Sequence, residues 1–181
     1  MLRILLIALG CVVVVVAGIL VYAATMPDTF RVARAIAVNA PPETIFPLIE
    51  DYRRWPAWSP YEDKDPQMKR SFSAVTAGPG ATYAWDGDSN VGAGNMTTIE
   101  TIPARKVAIR LTMVKPISAS NTVTFDLAPQ QQGTSVTWAM SGSVPYVAKI
   151  MHVFFDVDKM VGGDMETGLA RLKAAAEKGG V

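Results

Sequence analysis

The chain has 181 residues, and its 17 Lys and Arg nearly balance its 16 Asp and Glu, for a formal net charge of +1. Near-neutrality argues against a nucleic-acid partner, which needs a basic surface to neutralise phosphates. Half of the residues are hydrophobic; with the apolar first two dozen set aside, about 150 remain, ample for one core.

No charged residue occurs from Ile4 to Ala24, a run that meets the ~20 residues a helix needs to cross a bilayer. Residues 1–25 therefore read as a single N-terminal transmembrane anchor. The competing reading is a signal peptide, with Val21 and Ala23 as the small residues before a cleavage site. Arg3 argues for an inside start, which places the following domain on the non-cytoplasmic side of the membrane; Arg31 and Arg34 argue weakly for the reverse. The one cysteine, Cys11, lies in this run, so the remainder holds no intramolecular disulfide, cysteine nucleophile or Cys-built zinc site. Residues 26–29, with Pro27, form a short linker.

A domain over residues 30–178 comes next. Phe30, Val32, Ile36 and Val38 alternate on one face of a first strand, which Arg34 interrupts. Asn39, Ala40, Pro41, Pro42 and Glu43 signal a helix start, and Pro47 and Pro56 divide the helical stretch into two brief helices near Thr44–Ile49 and Asp51–Trp55. Trp55 and Trp58 belong either to local core or to a pocket lip. Met68–Ser73 is a weak strand. From Ala81 the period-two alternation predicts antiparallel hairpins: Tyr83 and Trp85 on one face, a return over Val91–Ile102, then Val107, Ile109, Leu111 and Met113, then Asn121, Val123, Phe125 and Leu127, then Val136, Trp138 and Met140. This makes six or seven strands. Ser143–Phe155 is a hinge with a short apolar helical approach. In the last segment, Asp156–Lys178, Val161, Met165, Leu169, Leu172 and Ala176 recur at helical spacing, and Gly179 and Gly180 stop the helix. That helix is the natural cover for the inner face of the sheet. Gly162 and Gly163 interrupt it at about 1 kcal/mol each relative to alanine; Gly162 serves either close helix–sheet packing or room for a ligand.

No catalytic signature is present. Asp86, Asp88 and Asn90 imitate the opening of a calcium loop, but Val91 stands where glycine is required and Thr97 where a bidentate glutamate is required. Gly92–Ala93–Gly94 lacks the third glycine of a dinucleotide fingerprint. His152 is the only histidine, which excludes a His-rich zinc site. No metal and no cofactor is expected. Arg34 and Asn121 are the polar residues on otherwise inward faces: each reaches water at a strand end or orients a ligand in an apolar cavity.

The succession of a strand, Ala40-Pro41-Pro42-Glu43 with Ile45 and Phe46, then Trp55, Trp58 and Ser59, hairpins carrying Gly80, Tyr83, Trp85, Gly92 and Gly94, and a long final helix resembles the SRPBCC superfamily (START-like, Bet v 1-like), in its polyketide cyclase/dehydrase-like branch. The resemblance implies an α+β helix-grip fold, a curved antiparallel sheet wrapped around the C-terminal helix, with a mostly apolar cavity between them. It also implies lipids, sterols or polyketides as ligands, and it carries over no fixed catalytic residue. The expected function is a membrane-tethered carrier or sensor of a hydrophobic small molecule or lipid. Its cavity would be lined by Tyr83, Trp85, Leu111, Met113, Phe125, Trp138, Met140 and Met165, with Asn121 as polar contact and Gly162 leaving space under the helix. Two alternatives stand: a cyclase/dehydrase-like enzyme using His152, Tyr83 or Asp86 as acid or base, and a protein-interaction module whose cavity is filled by its own side chains. The absence of a void under Gly162 would favour the last.

Overall fold

The computed structural model describes residues 1–178, apart from the side chains of Leu2, Leu5 and Ala8; the stop expected at Gly179 and Gly180 lies outside the described residues. Seven antiparallel strands form one sheet: β1 (Thr29–Val38), β2 (Lys69–Phe72), β3 (Thr82–Asp86), β4 (Ala93–Ile102), β5 (Lys106–Lys115), β6 (Ala119–Pro129) and β7 (Thr134–Ser143), in the order β1-β7-β6-β5-β4-β3-β2. Strands β2 to β7 are a meander, and β1 closes its far edge by pairing with β7. Register breaks at Ala93/Gly94 and Thr98/Glu100 of β4 supply local bends of the kind bulges give.

Five helices accompany the sheet: α1 (Leu2–Thr25), α2 (Pro42–Glu50), α3 (Tyr61–Lys64), α4 (Tyr146–Phe154) and α5 (Val157–Lys178), with a 3-10 turn at Tyr52–Ala57. Pro42 opens α2 at a position where its missing N–H is harmless. The two brief helices expected here are α2 and the 3-10 turn, and Pro47 lies inside α2. One lost intrahelical bond is outweighed by Ile45, Phe46 and Ile49, all buried in the core. The four-residue α3 is too short to carry a periodicity and is not visible in the sequence pattern.

On α5 the stripe Met165, Leu169, Leu172 and Ala176 is buried and Val161 half-buried. It meets Val32, Val38, Val107, Ile109, Val123, Phe125, Leu127, Val136 and Trp138 from the sheet in one apolar cluster. Gly162 faces Arg34: a Cβ there would collide with the guanidinium. Arg34 in turn donates from Nε to Glu166 Oε1 (2.7 Å) and from Nη2 to Asp158 Oδ2 (2.8 Å), so one strand cation bridges two carboxylates of α5 on either side of the glycine.

The membrane-spanning segment requires correction. Among the described residues no helix is long and apolar enough to cross a membrane. The apolar run does form a helix, α1 (Leu2–Thr25). The end of α1 also lies against protein: Ala23 is fully buried, Tyr146 Oη donates to the Leu20 carbonyl (2.8 Å), and Lys149 Nζ donates to the Met26 carbonyl (2.7 Å) and to Asp28 Oδ1 (2.6 Å). The transmembrane part of the expected fold, and the placement of the domain across a membrane, fall with it.

The adjacent glycines of α5 give a stability test. A Cβ at Gly163 would meet nothing within 4 Å, so Gly163→Ala is expected to stabilise by roughly 0.5 to 1 kcal/mol through helix propensity. Gly162→Ala must displace Arg34 from its two carboxylates and is expected to forfeit that gain, leaving the variants about 1 kcal/mol or more apart. Urea denaturation of both measures the difference; equal stabilisation would show that Arg34 moves aside freely.

Candidate functional site

The cavity arises from how the cross-strand rows are filled. In the row Arg34–Trp138–Phe125–Val107, and at the neighbouring Ile109 and Val136, the face is packed solid. Trp58, fully buried, sets its ring edge-on to Phe125 (centroids 5.8 Å apart, 84°) and to Trp138 (5.7 Å, 82°), and Trp55 packs on Trp58 at 4.8 Å. Aromatic pairs of this geometry add about 0.5 to 1.5 kcal/mol each beyond their area. The next rows, Val32–Met140–Val123–Ile109 and then Gly142–Asn121–Leu111–Met96–Tyr83, run beyond this aromatic plug. There the cover thins to Tyr52 and Trp55 of the 3-10 turn, and a cavity of about 410 Å³ opens between the sheet and the N-terminal half of α5, at Met160, Val161, Asp164 and Met165.

Of the residues expected from the sequence, Tyr83, Trp85, Leu111, Met113, Asn121, Trp138, Met140 and Met165 line this cavity. Phe125 and Gly162 do not. Phe125 lies within the aromatic plug as core, and the space beneath Gly162 is taken by Arg34. There is thus no void under Gly162, the outcome that favours an interaction module, whereas a cavity exists beside it at Val161 and Met165. Among the acid–base candidates only Tyr83 lines the cavity. His152 borders a separate groove with Phe154 and Phe155, and Asp86 is exposed beside Lys115 Nζ (3.2 Å). Trp55 lines the cavity while buried, so the two readings offered for it coincide; Trp58 is core.

Reasoning from sequence missed the polar end of the cavity, Tyr61 and Glu62 from α3 and Asp164 from α5. Glu62 is only 8% exposed. Its Oε1 accepts from Tyr83 Oη (2.9 Å), and its Oε2 accepts from Arg70 Nε (2.7 Å); Arg70 pairs in register with Trp85 across β2 and β3. Burial above all, then the negative charge of Glu62, holds the Tyr83 hydroxyl well above the usual phenol range, with Arg70 opposing. Burial and the charge of Asp164 do the same to Tyr61. Both oxygens of Asp164 accept from Lys64 Nζ (2.7 Å each). The only available clue was the charged Tyr61-Glu62-Asp63-Lys64 tetrad after Pro60, which predicts nothing about direction. Among the described residues no group of His, Cys, Asp and Glu is arranged to hold a metal ion.

Residues 29–177 match the family described as polyketide cyclase / dehydrase and lipid transport. The chain belongs to that family. A search of curated proteins finds no match. Among solved structures, protein CV1439 from Chromobacterium violaceum is similar with a TM-score of 0.58 at 17% identity, over 84% of this chain and 99% of that one. The di-domain ARO/CYC StfQ from the steffimycin biosynthetic pathway gives 0.63 at 13%, over 84% of this chain and 52% of that one. The Aha1 dimer from Colwellia psychrerythraea gives 0.55 at 16%, over 84% and 99%. At these identities the likeness is one of fold, and it is the fold of this polyketide cyclase/dehydrase and lipid-transport domain, an SRPBCC-type ligand-binding architecture, that the three share.

The tyrosines predict the alkaline limit of the domain. Burial pushes Tyr52 up to about 12, even though its Oη accepts from Thr98 Oγ1 at 2.9 Å. Folded Tyr52 keeps its proton where the unfolded side chain has lost it. Stability is therefore fully present below about pH 10 and falls as pH rises from about 10 to 12. Thermal melts across that range, with tyrosinate absorbance recorded in parallel, should show ionisation and unfolding together; ionisation of all five tyrosines near pH 10 without loss of structure would contradict it.

Proposed function

We propose that this domain binds a hydrophobic small molecule or lipid in the cavity between the sheet and α5, as a carrier or a sensor. The observation that carries the reading is the unfilled volume of about 410 Å³. It falls within the range of small-molecule sites, and apolar and aromatic side chains from Trp55 to Met165 surround it. Side chains that line such a space forgo dispersion contacts with protein neighbours that a bound apolar molecule would supply. The family match supports ligand binding as the common property, and the polar cluster at one end supplies orientation.

Native mass spectrometry of the full chain, purified gently and incubated with a lipid extract, is expected to show a discrete added mass that is lost on denaturation. Leu111 is half-buried on the cavity wall, so Leu111→Trp should project into the space and reduce uptake at least tenfold while the chain remains folded. A wild-type protein that takes up nothing from the extract would overturn the reading.

A further inference from the structure

Nine methionines occur in the chain, and six of them, Met68, Met96, Met113, Met140, Met160 and Met165, line the cavity. The other three, Met1, Met26 and Met151, lie outside the sheet and outside α5. The cross-strand rows show where methionine begins. Within the plug, the row Arg34–Trp138–Phe125–Val107 holds none. Each of the next three rows holds one: Met140 beside Val32 and Val123, Met96 between Tyr83 and Leu111, and Met113 between Gly94 and Ala119. Met160 and Met165 face this wall from α5, and Met68 joins it from the turn before β2.

The two halves of the apolar face therefore differ in stiffness. Val107, Val136 and Ile109 at the plug are β-branched and restricted at χ1. Methionine is unbranched, with three rotatable side-chain bonds and a polarisable sulfur that packs well on aromatic rings. Used only to fill irregular core, it would occur in the plug as well. It is also among the side chains that lose most rotamer freedom when pinned, so it is a poor choice for a wall moulded to a single molecule. Surfaces that re-pack around different partners are built from it. Burial grades along the set: Met68, Met96 and Met165 are buried, Met113 and Met140 half-buried and Met160 exposed.

We propose that these methionines are the specificity-determining wall of the cavity, and that they make its specificity broad: the site takes apolar molecules of different outline by re-packing its thioethers, not one molecule by a fixed shape. This rests on the cavity being a ligand site, and the test separates the two claims. N-phenyl-1-naphthylamine and N-phenyl-2-naphthylamine are isomers that differ only in outline, and both brighten in an apolar site. With the full chain, their affinities are expected to agree within about threefold. The combined variant Met96→Ile, Met113→Ile and Met140→Ile keeps the wall apolar and close to its original volume but makes it stiff at χ1. There the preference for one isomer should open to about tenfold or more, with a thermal melt confirming that the variant is folded.

The wild-type protein supplies a second readout that a variant failing to fold cannot remove. With its methionine methyls labelled with carbon-13, and each resonance assigned by a single Met→Leu substitution, the methyl carbon shift reports the χ3 rotamer of each side chain. The two isomers should leave at least one of Met96, Met113 and Met140 in different rotamers. A wild-type preference for one isomer of about tenfold or more, thioethers that keep the same rotamers with both, or a folded triple variant that still does not discriminate would overturn the assignment of the methionines while leaving the cavity reading intact. Binding of neither isomer would overturn both.

Discussion

Edge-on packing of Trp58 against Phe125 and Trp138 is the contact on which the rest of the domain depends. The sheet offers one long apolar face, and the region after α2 brings only enough bulk to cover part of it. Ile45, Ile49, Tyr52, Trp55 and Trp58 crowd over the rows centred on Phe125, Val107 and Val136, and there the interior reaches solid packing. Helix α5 comes close at the same level because Gly168 has no side chain; a Cβ there would stand 2.7 Å from the Trp138 ring. Beyond that plug the strands continue and the cover thins. The cavity is thus a consequence of where the aromatic filling stops, and Met140, Leu111 and Met113 are wall residues because they lie one to three rows past it.

The same geometry explains the distribution of charge. Helix α5 is held to the rest of the domain by ion pairs: Asp158 and Glu166 with Arg34, Asp164 with Lys64, and Arg171 with Asp63 in the opposite sense. Being largely exposed, these pairs contribute little stability each. Their effect is positional. They fix the helix over the open end of the sheet and tie the short α3 to it, so that Glu62 and Tyr83 meet inside the polar end. With the carboxylates neutralised by protein cations, the cavity presents dipoles and π-faces to a ligand, not net charge.

Much of this was legible from residues alone. Period-two runs in Val107–Met113 and Asn121–Leu127 located the strands and the inward face, and the stripe Val161, Met165, Leu169, Leu172 and Ala176 located the covering helix, because those patterns are direct images of burial on one face. Eight of the ten residues picked for the cavity line it. The two failures have a common origin. A period says which face a residue is on but not how far along the strand the neighbouring layer extends, so Phe125 under the tryptophans and Leu111 beyond them look alike. Nor does a period reveal long-range partners: Arg34 and Gly162 are far apart in sequence, and only the fold sets the guanidinium under the glycine. The polar end escaped for a related reason, since Tyr61 and Glu62 sit on a single helical turn. The apolar N-terminal run read as a span, whereas among the described residues no helix is long and apolar enough to cross a membrane, and the end of α1 is engaged by Tyr146 and Lys149.

The cavity and the unpaired indole N–H of Trp138 are two features of the same apolar face. Leaving one buried donor unsatisfied costs about 1 to 3 kcal/mol, and the unfilled space adds to it, in a domain whose total stability is typically only ~5 to 15 kcal/mol. The other three indoles show that pairing with a nearby carbonyl is easily arranged in this fold. Filling the cavity with larger side chains would likewise need no more than substitutions at Leu111 or Met140. Open space beside α5, past the aromatic plug, is what an interior completed by a bound molecule would require. By linkage, whatever binds in the cavity of the folded chain must also stabilise the fold.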